Sequence, residues 1–246
     1  MAMRQALPWF RPHEEGPCFC GSDLSFGECC GSRDPDRKPP AGVHLFPGFL
    51  DPASCKKWVK RLEGNRRQRA KVNKIQRPGA SAMTTEDDRV RVCSEVQPGS
   101  LRTLINQRVA EAFKRVAATT GHTVAWYELP LILRYRAGGY YLAHADSCAL
   151  DPASKSWFKI RDRDLSLLIY LNEDFTGGGL TFVNFNYHFR PKPGDLLVFP
   201  SDNRYAHQAE RVESGIRYVI VSWAALRETP KVCDRPPELA VLLPEA

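Results

Sequence analysis

The sequence predicts an α+β protein: a jelly roll or barrel of short strands, buttressed by helices and preceded by a small cysteine-rich module. Three observations carry this. From Val124 onward, strand-like stretches at 124–135, 140–146, 165–172, 179–185, 195–199, 205–212 and 216–224 are separated by turn residues. Ahead of them lie two segments with helical start and stop signals, so helices come first and a β-run follows. Four of the eight cysteines crowd into residues 18–30.

Composition sets the outer limits. The chain has 246 residues, 43% hydrophobic and 26% charged, enough for one sizeable core and an appendage. A formal charge of +7 favours an acidic partner without bearing on the fold. Met1-Ala2-Met3-Arg4-Gln5 offers no apolar signal region, and no run approaches the ~18 apolar residues of a membrane span. A cytoplasmic protein without membrane contact is expected. There, a tight cysteine cluster reads as a metal site rather than a disulfide framework.

Cys18, Cys20, Cys29 and Cys30 form two close pairs, a spacing that lets four thiolates close tetrahedrally round one Zn2+. The pattern C-x-C-x8-C-C resembles the SEC-C motif, which implies a zinc-binding protein-contact module without catalysis. Residues 31–40 are polar and proline-rich, a linker. They separate a module at 1–38 from a main domain at 41–230 whose core would span 124–226, with 231–246 as a tail. A strand is expected at Val43–Leu50. Asp51-Pro52 is an N-cap followed by proline at the first helical position, opening a helix that ends near Glu63 at Gly64. From Lys56 to Arg77, ten of 22 residues are Lys or Arg against the single acid Glu63. That run reads either as a solvated surface or as a contact for nucleic acid or an acidic protein. Residues 90–96 alternate as a strand. Ser100 then caps a helix to about Ala118, with Leu101, Leu104, Ile105, Val109, Phe113 and Val116 on one stripe and Gly121 closing it.

The chemistry centres on Tyr140-Tyr141-Leu142-Ala143-His144-Ala145-Asp146. On a strand, residues two apart share a face, so His144 and Asp146 project together. They are two members of the 2-His-1-carboxylate set that holds non-haem Fe(II). Of the other histidines, His207 lies in an alternating stretch, Tyr205–Val212, followed by a turn at Glu213-Ser214-Gly215. A hairpin centred on Ser214 would place His207, Arg211 and Arg217 on one face, with Arg217 roughly 13 Å from His207. A metal-bound 2-oxoglutarate reaching a guanidinium spans such a gap. His13, His44, His122 and His188 read as structural or surface residues.

Across 133–224 the chain resembles the prolyl 4-hydroxylase-like branch of the Fe(II)/2-oxoglutarate dioxygenases. The pieces are Leu133-Arg134-Tyr135-Arg136-Ala137-Gly138, Tyr141–Asp146, Arg163–Asn172, Phe175–Phe182, Pro191–Asp195 and His207 through Tyr218. The resemblance implies a double-stranded β-helix with His144, Asp146 and His207 as iron ligands. It implies that Arg217 binds the far carboxylate of 2-oxoglutarate and that Tyr170 also bonds it, with Tyr135 and Tyr141 as pocket-wall candidates. The segment from Ser147 to Asp162 is longer than in compact relatives and lies where a substrate-covering loop often sits.

The implied activity is hydroxylation of a C–H bond with Fe(II), 2-oxoglutarate and O2, releasing succinate and CO2, with ascorbate as a further cofactor. The implied substrate is a prolyl or other residue in a protein or peptide. A free amino acid or other small molecule is the second reading. The third is a binding module for protein or nucleic acid, through residues 56–77, on a degenerate oxygenase fold.

Overall fold

A strand that is apolar on both faces has to be covered on both. Leu165–Tyr170 is buried at every position in the computed structural model, which describes residues 13–18, 22–32, 39–74 and 83–244. It pairs antiparallel with Leu196–Pro200 on one edge and with the 15-residue strand Val212–Leu226 on the other. The main path of this larger sheet continues outward to His44–Phe46 on one side. On the other it passes through Leu131–Arg136 and Ser94–Val96 to Arg67–Arg69. A second, five-stranded sheet is ordered Tyr187–Phe189, Leu180–Phe182, His207–Ala209, Tyr140–His144, Arg91–Val92.

The period of two along the central strands sorts their side chains into two cores. Leu165, Leu167 and Ile169 join Tyr218, Ile220 and Ala224 beneath the helices. Leu168 and Tyr170 join Val219 and Val221 between the sheets, with Leu180, Phe182 and Phe189 from the smaller sheet. Each such side chain contributes about 1.5–3 kcal/mol on burial. The result is a mostly-β, jelly-roll-like sandwich with two helices on the outer face of the larger sheet.

The first helix, Pro52–Glu63, begins as expected. The Asp51 carboxylate accepts from the Ser54 amide at 3.0 Å, and Cys55, Trp58 and Leu62 are buried against the sheet. Lys60 and Arg61 in its last turn complement the helix dipole. The second helix, Arg102–Thr120, buries Ile105, Val109, Phe113 and Val116 almost completely, with Leu104 partly covered and Leu101 buried just before its start. Gly121 closes it at φ 74°, a conformation that favours glycine.

Several expectations need correction. No side chain caps the second helix: a 3-10 turn at Gly99–Leu101 leads into it, and Ser100 lies within that turn. The strand expected at 43–50 covers only His44–Phe46. The 124–135 stretch divides into Val124–Glu128 and Leu131–Arg136 around Pro130, which has no N–H for the ladder. Residues 90–96 divide at Cys93, with Arg91–Val92 in the smaller sheet and Ser94–Val96 in the larger. The hairpin at 213–215 does not form. Val212–Leu226 is one strand, in which Ser214 and Gly215 pair with Thr176 and Phe175. Gly215, at φ 77°, permits that approach, since a Cβ there would lie 2.1 Å from the Asp174 carbonyl oxygen. The segment read as a tail from 231 is docked: Ala240–Leu242 pairs with Val124–Glu128, and the Val232 and Cys233 amides donate to the Asp162 carboxylate.

The basic run is only partly free. Arg69 pairs with Asp88 and Glu86, and Arg67 donates to the Glu63 carbonyl. Residues 75–77 lie outside the described residues. Among the described residues, no helix is long and apolar enough to cross a membrane.

Candidate active site

Antiparallel pairing of His207–Ala209 with Tyr140–His144 sets His207 directly opposite His144. Asp146 follows just beyond the strand end, where its amide and that of Ser147 both donate to the Ser201 carbonyl. One ligand atom from each of His144, Asp146 and His207 lies within 4.8 Å of the other two. The His144 Nε2 stands 3.5 Å from Asp146 Oδ1, and the His207 Nε2 stands 3.7 Å from Asp146 Oδ2.

The tautomers follow from the neighbours. His144 Nδ1 meets the Leu142 carbonyl at 2.8 Å, and His207 Nδ1 meets the Tyr205 carbonyl at 3.0 Å. A carbonyl only accepts, so each Nδ1 carries a proton and each Nε2 is the nitrogen left facing Asp146. Burial pushes the His207 imidazolium pKa down to about 4, so the ring is neutral near pH 7. Burial alone would raise Asp146, but His207, the His144 hydrogen bond and Arg163 outweigh it and hold the carboxylate well below its usual range. Two imidazole nitrogens and one carboxylate are the donor set that a divalent transition metal takes.

Two residues that sequence reasoning passed over steady Asp146. The Ser166 hydroxyl donates to Asp146 Oδ2 at 2.6 Å, and the Ser201 hydroxyl lies 2.7 Å from that of Ser166. Arg163 donates to the Asp146 carbonyl at 3.5 Å. It grips Glu128 in a bidentate pair at 2.5 and 2.6 Å, and stacks over Trp223 at 3.8 Å. No local motif announces such roles, because Ser166 lies on one strand and Ser201 just beyond the end of its neighbour.

His144, Asp146, His207 and Arg163 line a cavity of about 370 Å3 between the sheets. Leu133, Tyr135, Leu168, Leu180, Arg217 and Val219 wall its buried part. Arg217 is 1% exposed, and its Nε and Nη1 have no hydrogen-bond partner. The Nη2 is 3.5 Å from the Tyr170 hydroxyl, and the guanidinium carbon lies 4.9 Å from the Tyr135 ring centroid. Burial and hydrogen bonding therefore leave the Arg217 guanidinium facing the cavity without an anion among the described residues.

The expected residues are distributed as follows. Arg217 reaches the cavity from the larger sheet and His207 from the smaller, so they meet across the sandwich rather than along one hairpin face. Arg211 is not with them: it donates to the Gly138 carbonyl and lies over the Tyr140 ring. Tyr135 and Tyr141 line the cavity, Tyr141 stacked on His144 with centroids 3.7 Å apart. Tyr170 stands behind Arg217. His122 and His188 pair with Glu228 and Glu210 away from the cavity wall. In the N-terminal module, Cys18, Cys29 and Cys30 have sulfur atoms within 4.8 Å of one another, while Cys20 lies outside the described residues.

Residues 130–225 match the family model described as the 2OG-Fe(II) oxygenase superfamily. Human prolyl 3-hydroxylase 2 is 33% identical over 92 residues, 34% of this chain and 13% of that protein. The chain spans between 12 and 42% of the length of the curated relatives it matches. Among solved structures, the 2OG complex of the viral collagen prolyl hydroxylase vCPH from Paramecium bursaria Chlorella virus-1 aligns with a TM-score of 0.55. That alignment has 17% identity and covers 76% of this chain and 98% of that one. A prolyl hydroxylase from Trichoplax adhaerens, in complex with a hypoxia inducible factor peptide fragment, aligns with a TM-score of 0.56. Here the identity is 18%, over 75% of this chain and 83% of that one. At these identities the structures speak for the fold alone, and the sequence match speaks for one segment: residues 130–225 are similar to the 2OG-Fe(II) oxygenase superfamily.

Proposed function

We propose that this chain is an Fe(II)- and 2-oxoglutarate-dependent dioxygenase that hydroxylates a prolyl residue of a protein or peptide, with release of succinate and CO2. The observation that carries the reading is Arg217, a buried guanidinium with two orphaned donor atoms. An unpaired buried cation is costly to maintain, and the far carboxylate of 2-oxoglutarate is the anion that would satisfy it. His144, Asp146 and His207 would hold the metal, which supplies O2 activation coupled to decarboxylation of the keto acid.

The chain's own residues then have distinct tasks. The Leu142 and Tyr205 carbonyls orient the two imidazoles, and Ser166 and Ser201 hold the carboxylate. Tyr135 and Tyr170 flank the Arg217 guanidinium and keep water from its faces. Tyr141, stacked on His144, narrows the approach to the reacting position. The prolyl substrate is supported by the sequence similarity to human prolyl 3-hydroxylase 2. We extend the proposal to one zinc ion at Cys18, Cys20, Cys29 and Cys30. Elemental analysis should find that zinc in the wild type and not in the Cys29→Ser/Cys30→Ser double variant.

The test of function is direct. Incubation with Fe(II), 2-oxoglutarate, O2 and proline-containing peptides should release succinate in step with a gain of one oxygen atom on proline. Free proline and peptides with alanine for proline are the controls. Succinate release that no peptide stimulates, with no oxygen gained on proline, would refute the prolyl reading.

A further inference from the structure

The outer part of the cavity carries more positive charge than the reaction described above uses. Its lining holds the cations Lys71, Arg91, Arg161, Arg163 and Arg217 against the acids Glu95 and Asp146. Asp146 belongs to the metal triad, and Glu95 accepts from the Gln68 amide at 3.1 Å. Arg217 has the cosubstrate, and Arg163 is saturated by Glu128. Arg91 is held in place by Cys93 Sγ at 3.1 Å and by the Tyr141 ring at 4.6 Å. Arg161 and Lys71 remain, and neither side chain makes a hydrogen bond or ion pair among the described residues.

Both are positioned by backbone. Arg161 follows the hairpin formed by Cys148–Leu150 and Trp157–Lys159. It sits between two anchors: the Ile160 amide donates to the Ser147 carbonyl at 2.7 Å, and Arg163 reaches the Asp146 carbonyl. Its guanidinium therefore stands next to the chain that bears the metal-ligating carboxylate. Burial and the like charge of Arg163 lower its pKa, outweighing the opposing pull of Glu128. Lys71 comes from the opposite sheet region. The Ala70 amide is bonded to the Cys93 carbonyl at 3.0 Å, and the Lys71 carbonyl accepts from Arg91 at 3.2 Å. A half-buried guanidinium and a flexible ammonium at one cavity mouth make a carboxylate clamp: the first can bind in a bidentate manner, and the second adds a point charge.

We propose that Arg161 and Lys71 form an anion-recognition subsite at the mouth of the cavity, and that the substrate is an acidic peptide whose carboxylate lies beside the reacting residue. The inference rests on the reading of the site as a peptide-hydroxylating centre. The longer segment between the first ligands and Leu165–Tyr170 then has a role, since its hairpin delivers Arg161.

The test is calorimetric titration of the full chain with 2-oxoglutarate and Zn(II) present, so that the inner site is filled and no turnover occurs. The probes are acetyl-Gly-Asp-Pro-Asp-Gly-amide, its Asn-for-Asp counterpart, acetyl-Gly-Asn-Pro with a free terminal carboxylate, and the acidic peptide with alanine for proline. The Asp peptide should bind about tenfold more tightly than the Asn peptide. That preference should vanish in Arg161→Gln/Lys71→Gln, return in large part with Arg161→Lys, and survive in Arg217→Met. Equal strengthening by the terminal carboxylate would support the clamp and place its natural ligand at a chain end. Equal affinity for proline and alanine peptides would contradict the prolyl reading while leaving the charge comparison intact. No preference for the acidic peptide, failure of the acidic peptide to bind, or a preference that persists in the double variant would overturn the subsite.

Discussion

The two ends of the cavity are built from different materials. At the inner end, Arg217 projects from the central strand of the larger sheet and is 1% exposed, so packing leaves its guanidinium few alternative positions. At the mouth, Arg161 and Lys71 stand on short connecting segments, and Lys71 is exposed. A rigid cation of fixed position selects one small anion of fixed length. Looser cations at a rim select charge and tolerate variation in shape. On the proposed function, the inner end would set which cosubstrate the site takes, and the mouth would set which class of substrate approaches it.

The largest expected effect removes what the two ends share. Asp146→Ala should abolish peptide-dependent succinate release, and retained wild-type turnover would mean that the triad is not the metal site. Next, Arg217→Met should stabilise the cosubstrate-free protein by about 1–3 kcal/mol, because it removes a buried unpaired charge at similar volume. Thermal melts with and without 2-oxoglutarate check this, and a destabilised variant would show that hidden partners satisfy the guanidinium. Ser166→Ala should weaken metal binding about tenfold by freeing Asp146 to rotate, without altering the preference for acidic peptides. A changed charge preference with unchanged metal affinity would assign Ser166 to the mouth instead. Smallest of all, Arg67→Gln should leave acidic-peptide affinity within about twofold, since surface substitutions rarely matter beyond ~0.5 kcal/mol. A larger loss would extend the recognition surface along the strand Arg67–Arg69.

What the sequence made legible divides along the same lines. His144 and Asp146 could be paired because a strand's period of two is local, and the helix at Pro52–Glu63 could be placed because its cap is local. Arg217 was found through resemblance and through a hairpin that does not exist. The residues Glu213-Ser214-Gly215 have turn chemistry, yet Ser214 and Gly215 pair with Thr176 and Phe175 within one long strand, and Glu213 falls at an irregularity in that pairing. Serines 166 and 201 carry no signal in their own neighbourhoods, since their meeting depends on antiparallel register between distant strands. Arg161 was hidden for another reason. One arginine in Arg161-Asp162-Arg163-Asp164 looks much like the other until the structure shows Glu128 in a bidentate pair with Arg163 and, among the described residues, no hydrogen bond from the Arg161 side chain.

The central claim is that the inner cation and the triad together hold 2-oxoglutarate. Calorimetric titration of 2-oxoglutarate into anaerobic, Fe(II)-loaded protein tests it most directly, with wild type and Arg217→Met compared at one ionic strength. The expected result is one 2-oxoglutarate per chain in the wild type and an affinity about a hundredfold weaker in the variant, the loss of a charge-assisted bidentate pair. Equal affinities in the two proteins would contradict the account.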